Sequence, residues 1–407
     1  MRSQKRNKMK TKEIKIGNIT IGGNAPCFMV AEAGANHDGD FNKAKELIDA
    51  AADTKAESIK FQHYSAGKLT SKEAKRYWYV HGDEKGFQFD PTYYKDDQKS
   101  TFEKIDGIPR DKDAELIAYG AQKNIVVFST PFDFESVDHL ESIGAPLYKI
   151  ASGDITYHDF LRYVASKGKP IMLSTGAANL DEIKAAVNVI KEAGNDQIIL
   201  LHCTLAYPTP LENANLLMMQ DLHKHFPDLP IGLSDHTPGI KADVAAAMLG
   251  AAMIEKHFTH TPGHAVGDEK VGDSPDHDIG IGPTAFKEMI SRIKENEKIG
   301  KSTRHGMSFE SAIEEIKKTV PEALGSHGIK EVDEEVERKA RLQARRSLVA
   351  NTRLVKGEII TKETLAEKIT VKRPGTGIEP YRKEELIGKK VKEDIEVDTV
   401  LKWTHLV

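Results

Sequence analysis

Cysteine is scarce in this sequence of 407 residues. Only Cys27 and Cys203 occur, and both lie inside apolar runs. Two isolated thiols cannot form a framework of disulfides, and they are typical of a protein kept in a reducing compartment. We therefore expect a cytoplasmic protein whose fold depends on a hydrophobic core and not on cross-links.

Long hydrophobic runs and a strong excess of one charge are also missing. No apolar run reaches the roughly 18–20 residues that span a bilayer, and the basic residues 1–12 lead into no apolar segment of a secretory signal. The formal net charge is −4, with 29% charged and 39% hydrophobic residues. This balance is typical of a soluble enzyme, and we expect neither nucleic acid nor a membrane as a partner.

Short apolar runs bounded by turn residues recur along the chain, with helical patterns between most of them. Eight runs predict buried parallel strands, namely Cys27–Ala33, Ser58–His63, Ile125–Thr130, Leu147–Ser152, Pro170–Thr175, Ile198–Thr204, Ile231–His236 and Met253–Thr259. Eight strand–helix units predict an α/β fold, a (β/α)8 TIM barrel. A doubly wound open sheet is the alternative, which the lack of a G-x-G-x-x-G after the first strand disfavours.

Changes in composition divide the chain into four predicted segments. Residues 1–12 form a disordered basic tail, 13–300 the barrel domain with a small hairpin at one end, 301–341 a solvated linker, and 342–407 a small, mostly β domain. The connection Tyr64–Pro109 is unusually long, polar and aromatic. We expect it to form a wall or lid of the active site, with an oligomer contact or a mobile insert as the alternatives.

Two lysines are predicted inside apolar strands, where a positive charge is costly unless an anion lies beside it. Lys60 and Lys149 are near the carboxyl ends of their strands, where barrels build active sites. Hydroxyls follow several other strands, at Thr130, Ser152, Ser174 and Ser234. Together these groups predict a cradle for a phosphate and a carboxylate. The alternative is that each lysine simply pairs with a neighbouring Glu or Asp.

Histidines end the last two predicted strands. His236 and His257 leave adjacent strands at the same edge, where they could share one metal ion such as Mn²⁺ or Zn²⁺. With two protein ligands the remaining positions stay open to substrate and water, which suits polarisation of a carbonyl. Glu32, after the first strand, is a candidate base. A structural salt bridge to Lys60 or Lys149 is its alternative role.

These residues lie in motifs that resemble a known enzyme family. The motifs are Ala31-Glu-Ala-Gly-Ala-Asn-His-Asp-Gly39, Lys60-Phe-Gln62, Phe128-Ser-Thr-Pro-Phe132, Tyr148-Lys-Ile-Ala-Ser-Gly-Asp154, Leu173-Ser-Thr-Gly176, Leu201-His-Cys-Thr204, Tyr207-Pro-Thr-Pro210, Gly232-Leu-Ser-Asp-His-Thr237 and Glu255-Lys-His-Phe-Thr259. In this order they resemble the sialic acid (nonulosonate) synthase family. Residues 345–350 and 371–375 resemble the antifreeze-like (SAF) domain that follows the barrel in that family.

The resemblance implies that phosphoenolpyruvate condenses with an N-acylated hexosamine to give a nine-carbon 2-keto acid and phosphate. It implies a divalent metal on His236 and His257, for which we expect Mn²⁺, with Mg²⁺ or Co²⁺ as alternatives. Glu32, Lys60 and His236 are the expected catalytic residues. The expected substrate contacts are Lys60, Gln62, Thr130, Lys149, Ser152, Asp154, Ser174, Tyr207, Ser234, Asp276 and Arg373. Arg373 would come from the partner in a domain-swapped homodimer.

Several positions depart from the family pattern, mostly on the sugar side of the expected pocket. Asp154 stands where sialic acid members usually have Glu, and Leu205 stands where an Asn is common. The loop Thr259–Gly272 is unusually rich in His and Gly. Because of these changes, the motifs do not identify the sugar substrate. The rival interpretations are another phosphoenolpyruvate-dependent barrel synthase or aldolase, and a non-catalytic sugar-binding scaffold in polysaccharide assembly.

Overall fold

The computed structural model describes residues 11–78, 81–83, 86–88, 97–105, 108–260, 274–277 and 279–407. Most of the predicted basic tail and most of the His- and Gly-rich loop lie outside these ranges. The strands are β1 (Glu13–Ile16), β2 (Ile19–Gly22), β3 (Phe28–Gly34), β4 (Ser58–His63), β5 (His81–Asp83), β6 (Gly86–Gln88), β7 (Val126–Pro131), β8 (Tyr148–Ile150), β9 (Ile171–Ser174), β10 (Ile198–His202), β11 (Ile231–Asp235), β12 (Met253–His257), β13 (Ser347–Ala350) and β14 (Ile369–Lys372).

Helices follow most of the strands. They are α1 (Phe41–Thr54), α2 (Ala66–Leu69), α3 (Gln98–Ile105), α4 (Asp113–Gln122), α5 (Phe134–Ser142), α6 (His158–Ala165), α7 (Leu180–Glu192), α8 (Met218–His225), α9 (Lys241–Met248), α10 (Pro283–Lys298), α11 (Phe309–Lys317), α12 (Arg338–Ala344) and α13 (Lys362–Lys368). No helix in the described ranges combines the length and the apolar character needed to cross a membrane.

Eight strands close into a barrel in the order β3, β4, β7, β8, β9, β10, β11 and β12, and β12 pairs with β3. Every neighbouring pair is parallel. These strands correspond to the eight predicted runs, with ends that differ by at most a few residues. The predicted (β/α)8 barrel is confirmed, and the doubly wound alternative is excluded.

The lower half of the barrel interior is apolar. Alternate residues of the strands point inward and pack together, among them Phe28, Val30, Phe128, Met172 and Leu201. The β1–β2 hairpin adds three buried isoleucines to the same cluster, Ile14, Ile16 and Ile21. The hairpin thus closes the bottom of the barrel, as predicted, and leaves the polar carboxyl ends of the strands at the other mouth.

Residues 301–341, which we predicted to be a solvated linker, are partly buried in the structure. Within residues 301–341, Ala312, Ile316, Val320, Ala323 and Leu324 are buried in the main core between the barrel strands and their helices. Their spacing of three to four residues forms an apolar face on α11 and the turn after it. Residues 312–324 therefore pack on the barrel, and three charged residues of the segment, Arg304, Lys330 and Glu337, are buried as well.

The small C-terminal domain has its own hydrophobic core. Leu348, Ile360, Ile378, Val391 and Leu401 are buried together. Strands β13 and β14 are antiparallel, and further isolated bridges join the rest, which confirms the predicted small, mostly β domain after the barrel.

Polar contacts seat this small domain on the mouth of its own barrel. The backbone N–H of Arg373 donates to the Leu69 carbonyl at 2.9 Å, and the Ser71 N–H donates to the Arg373 carbonyl at 2.9 Å. Glu182 and Asn179 form the capping box at the N-terminus of α7, and the carboxylate of Glu182 also pairs with Arg345 of the small domain at 2.6 Å. The domain therefore covers the end of the barrel where the functional side chains lie.

Candidate active site

One cavity lies at the carboxyl ends of the barrel strands, beneath the small domain. Its lining includes every residue predicted to act on substrate or metal except Asp154, namely Glu32, Lys60, Gln62, Thr130, Lys149, Ser152, Ser174, Tyr207, Ser234, His236, His257, Asp276 and Arg373. These residues come from strands and loops spread over more than 300 positions of the chain. Closure of the barrel is what brings them together.

Lys60 is the first of two buried ammonium groups in this cavity. Its Nζ lies 2.5 Å from Glu32 Oε2 and donates to Thr130 Oγ1 at 2.8 Å. Strand register explains the contacts. Glu32 of β3 lies opposite Lys60 of β4, and Gln62 of β4 lies opposite Thr130 of β7. Gln62 Nε2 donates to the other oxygen of Glu32 at 3.0 Å. The salt-bridge alternative for Lys60 and Glu32 is therefore present in this structure.

Lys149 is the second, and it also has a carboxylate partner. Its Nζ lies 2.6 Å from Glu255 Oε1, which accepts a further hydrogen bond from Ser234 Oγ at 3.0 Å. Burial would raise the pKa of Glu255, but the ammonium groups of Lys149 and Lys60 outweigh it and lower the pKa to about 2. Burial lowers the pKa of Lys149, against the opposing effect of Glu255.

Glu255 was not among the predicted site residues. A signal for it existed, because it is two residues before His257 on β12, and alternate residues of a strand share a face. Its partner could not be named from the sequence, since Lys149 is 106 positions away.

Glu32 is fully enclosed and its charge is only partly compensated. Burial raises the pKa of Glu32 to about 7, with Lys60 opposing the rise and Glu255 adding to it. A carboxyl group with a pKa near neutrality can both accept and release a proton at physiological pH. The structure thus gives Glu32 the electrostatic environment of a general acid or base, in addition to its salt bridge.

His236 and His257 meet at the same mouth, with 5.3 Å between ring centroids. Burial lowers the pKa of His236 to about 4, and the pKa of His257 falls well below its usual value through burial and the neighbouring His236. His236 Nδ1 lies 3.1 Å from the Thr204 carbonyl oxygen, which assigns its proton to Nδ1 and leaves Nε2 unprotonated.

These two rings fit a divalent cation. Both are neutral imidazoles, and His257 Nδ1 is buried without a hydrogen-bond partner among the described residues. Asp276 Oδ1 lies 3.8 Å from that nitrogen, too far for a hydrogen bond but near enough to add an oxygen donor. Asp235, the neighbour of His236 in the chain, pairs with the buried Lys256 on the far side of β11.

Two serines near the lysines offer hydroxyls to a ligand in different ways. Ser174 Oγ is buried and has no hydrogen-bond partner among the described residues. Ser152 Oγ accepts the Gly176 N–H at 2.9 Å, which leaves its own proton free to donate. An anion placed between Lys60 and Lys149 would find these donors beside it.

The other side of the cavity is aromatic. Tyr77, Trp78, Phe102 and Phe132 line it, and Tyr207 packs on His236 with 4.2 Å between ring centroids. Tyr77, Trp78 and Phe102 belong to the connection Tyr64–Pro109. Its described part therefore forms a wall of the cavity, and its remaining residues lie outside the described ranges.

Arg373 stands on this aromatic side and is 5% exposed. Its guanidinium lies 5.5 Å from the centre of the Phe132 ring and 5.7 Å from that of Phe102, and Nη1 donates to Gln98 Oε1 at 3.4 Å. The resemblance implied that Arg373 reaches the site of a partner subunit, whereas here it lines the cavity of its own chain. The homodimer itself remains a prediction.

Asp154 does not line the cavity. It is fully buried and pairs with Arg346, whose Nε lies 2.6 Å from Asp154 Oδ1. Arg346 also donates from Nη2 to the Phe132 carbonyl at 2.9 Å. The structure thus places Asp154 outside the lining of the cavity, where its ion pair with Arg346 links the barrel to the small domain. Its predicted contact with substrate remains a prediction.

Comparison with known proteins identifies the family. The sequence profile of the NeuB family matches residues 47–304, and that of the SAF domain matches residues 345–407. The chain belongs to the NeuB family.

Relatives match this NeuB family chain over nearly its whole length. The N,N'-diacetyllegionaminic acid synthase of Campylobacter jejuni is 36% identical, over 92% of this chain and 98% of that protein. The spore coat polysaccharide biosynthesis protein SpsE of Bacillus subtilis has a crystal structure with a TM-score of 0.75 at 31% identity, covering 97% of this chain and 99% of the other. The crystal structure of the N-acetylneuraminic acid synthetase of Leptospira borgpetersenii in complex with citrate matches with a TM-score of 0.60 at 33% identity, covering 76% of this chain and 98% of the other.

Proposed function

We propose that this NeuB family protein joins phosphoenolpyruvate to an N-acylated hexosamine, releasing phosphate and a nine-carbon 2-keto acid. The observation that carries the proposal is the layout of one cavity. Two buried lysines and several hydroxyls occupy one side, two neutral histidines stand at the centre, and an aromatic wall with a single arginine forms the other side.

The lysine side suits phosphoenolpyruvate. Lys60 and Lys149 can both reach an anion between β4 and β8, with Thr130, Ser174 and Ser152 as hydrogen-bond donors. Their glutamate partners offset this positive charge only in part. Glu255 has a pKa of about 2 and stays ionised, whereas Glu32 has a pKa of about 7 and is partly protonated at neutral pH. A bound phosphate would favour the protonated form of Glu32 still further, since like charges in one site disfavour each other.

The central histidines supply the electrophilic part of the reaction. A divalent cation on His236 and His257 would polarise the aldehyde oxygen of the sugar. As carbon 3 of phosphoenolpyruvate bonds to the aldehyde carbon, the aldehyde oxygen becomes an alkoxide and carbon 2 becomes electrophilic, so that water adds there. Glu32, hydrogen-bonded to Gln62 and close to the mouth, can take the proton of this water or return one to the alkoxide. The bond between carbon 2 and the bridging oxygen then breaks, and phosphate leaves with that oxygen.

The aromatic side suits an acylated and uncharged sugar. Tyr77, Trp78, Phe102 and Phe132 offer apolar surface to acetamido methyl groups, and Arg373 can donate to an amide carbonyl. Among the described residues Arg373 is the one cation on this side of the cavity. A sugar phosphate would need more positive charge there, which makes a phosphorylated substrate the poorer fit.

The test is phosphate release from phosphoenolpyruvate with Mn²⁺ and a panel of aldoses. The panel holds N-acetylmannosamine, a diacetamido-trideoxyhexose and a sugar phosphate, and mass spectrometry identifies the 2-keto acid. We expect release that depends on an acylated hexosamine and is lost in His236→Ala. Release of phosphate only with the sugar phosphate would show that the protein is a different phosphoenolpyruvate-dependent barrel synthase. No release with any sugar, despite bound metal, would support a non-catalytic scaffold.

A further inference from the structure

We propose a second metal site, separate from the cavity of His236 and His257, in which His63, Asp113 and His139 bind a transition-metal ion of the Zn²⁺ class. The three side chains lie on the outer surface of the barrel, between β4 and helices α4 and α5. They form the only group of three His, Cys, Asp or Glu ligands within mutual reach among the residues that the structure describes.

The alternation of β4 places His63 on the opposite face from the active site. Lys60 and Gln62 point into the cavity, so Phe61 and His63 point outward, and Phe61 accordingly packs in the core between strands and helices. Asp113 is the first residue of α4, and His139 is in the last turn of α5. Three different elements of the fold, β4, α4 and α5, thus each supply one ligand.

The donor atoms already converge on one point. His63 Nε2 and His139 Nε2 lie 2.7 Å and 2.8 Å from the same oxygen of Asp113, Oδ2. Ligands of a tetrahedral zinc ion stand about 2.0–2.2 Å from the metal, which separates them from one another by roughly 3.3 Å. Opening the two His–Asp contacts takes shifts of about half an ångström, and the ligand atoms of all three residues lie within 4.8 Å of one another. Rotation of the side chains can bring them around one ion.

The charge balance favours a cation. The Asp113 side chain is 6% exposed, and its ion-pair partners among the described residues are these two histidines. A neutral imidazole supplies no charge, and a buried carboxylate is costly without one. Arg110, which lines the same cavity as Asp113, donates to Ser136 Oγ at 3.0 Å. A divalent ion would supply the missing positive charge, and two imidazoles with one carboxylate are donors that zinc accepts.

A fourth coordination position is available. An internal cavity lined by His37, His63, Asp113, Leu116 and Leu140, among others, adjoins the cluster. Water from this cavity could complete a tetrahedral shell. An ion there would tie the end of β4 to α4 and α5, and would so hold Gln62, the preceding residue, in contact with Glu32. The proposed role is positional, and the ion takes no part in the chemistry.

The experiment uses the full chain with His236→Ala and His257→Ala, which removes the other histidine pair. After chelation the protein is titrated with Co²⁺, and bound metal and the visible spectrum are measured. We expect one bound Co²⁺ per chain with the intense bands of a tetrahedral site. Adding Asp113→Asn, which keeps the shape of the side chain, or His139→Gln should abolish binding. His327→Gln, which alters an exposed His–Glu pair, is the matched control and should retain it.

Three results would overturn the proposal. The first is a folded background variant, verified by circular dichroism, that binds no Co²⁺. The second is binding that survives both Asp113→Asn and His139→Gln, which would place the ion elsewhere. Loss of binding in His327→Gln as well would show an adventitious surface effect and would equally exclude the site. None of these measurements depends on the proposed synthase activity, so the two proposals fail separately.

Discussion

Replacing Lys149 by Met separates the two roles that the structure gives this residue. Lys149 is 4% exposed, its ammonium pairs with Glu255 at 2.6 Å, and it lines the side of the cavity assigned to phosphoenolpyruvate. Methionine keeps most of the volume of lysine and removes only the charge. The variant should therefore lose both the salt bridge and the anion contact without leaving a large cavity.

The two losses have different sizes and appear in different measurements. Removing one partner of a buried ion pair lowers the free energy of unfolding by about 3–5 kcal/mol, because the other charge is left uncompensated. A charge-assisted contact to substrate is worth roughly 1.5–3 kcal/mol, which corresponds to a KM for phosphoenolpyruvate about 10- to 150-fold higher. The loss of stability should be larger at pH 7.5 than at pH 4.5, since a buried Glu255 without its ammonium is more easily tolerated when protonated.

The double variant Lys149→Met with Glu255→Gln isolates the substrate contact. Removing both charges should restore most of the stability, because uncharged residues of similar volume often replace a buried pair at little cost. The KM for phosphoenolpyruvate should stay high, because no cation has been returned. Glu255→Gln alone is the control, and it should leave Lys149 free to bind the anion.

Urea denaturation at the two pH values and initial rates of phosphate release give the two readouts. Recovery of a normal KM in the double variant would refute the anion cradle, because the effect of Lys149 would then be entirely structural. A normal KM in Lys149→Met itself would refute it equally. An unchanged stability in Lys149→Met would contradict the buried pair.

Other variants test the remaining parts of the account. Burial raises the pKa of Glu32 to about 7, so kcat/KM should rise with pH through about 7, and Glu32→Gln should abolish this rise. The free energy of unfolding should fall between about pH 4.5 and 7 in the wild type, and should fall less in the variant. Arg373→Ala should raise the KM for the sugar and spare that for phosphoenolpyruvate. Mixing Arg373→Ala chains with His236→Ala chains should leave the sugar KM high if each site uses its own arginine, whereas a return toward the wild-type KM would show the swapped dimer. Lys256→Met should cost about 3–5 kcal/mol in urea denaturation, since it leaves two buried aspartates, Asp235 and Asp243, without their ammonium.

Much of the barrel could be predicted because the information is local. Strands buried on both faces are apolar runs with turn residues at their ends, and each helix between them has its own periodic pattern. Once eight such units are counted, the fold itself places the strand ends together. That is why Lys60, Lys149, His236 and His257, widely separated in the chain, could be assigned to one site.

What could not be predicted depends on contacts between distant residues. The pairing of Asp154 with Arg346 requires knowledge of where the small domain sits, and nothing near Asp154 indicates it. The charges of residues 301–341 concealed an apolar face that only becomes clear against the barrel surface. The cluster of His63, Asp113 and His139 spans three elements, and neither its spacing nor its composition forms a metal motif.

The most direct test of the central claim is the source of the oxygen in the released phosphate. The reaction is run in water enriched in oxygen-18, with phosphoenolpyruvate, Mn²⁺ and the best acylated hexosamine, and the phosphate is analysed by mass spectrometry. Because water is proposed to add at carbon 2 and the carbon–oxygen bond to break, the phosphate should contain no solvent oxygen and should form only when the sugar is present. One oxygen-18 atom in each phosphate would show hydrolysis at phosphorus, and release without sugar would show hydrolysis that is not coupled to condensation. Either result would contradict the account.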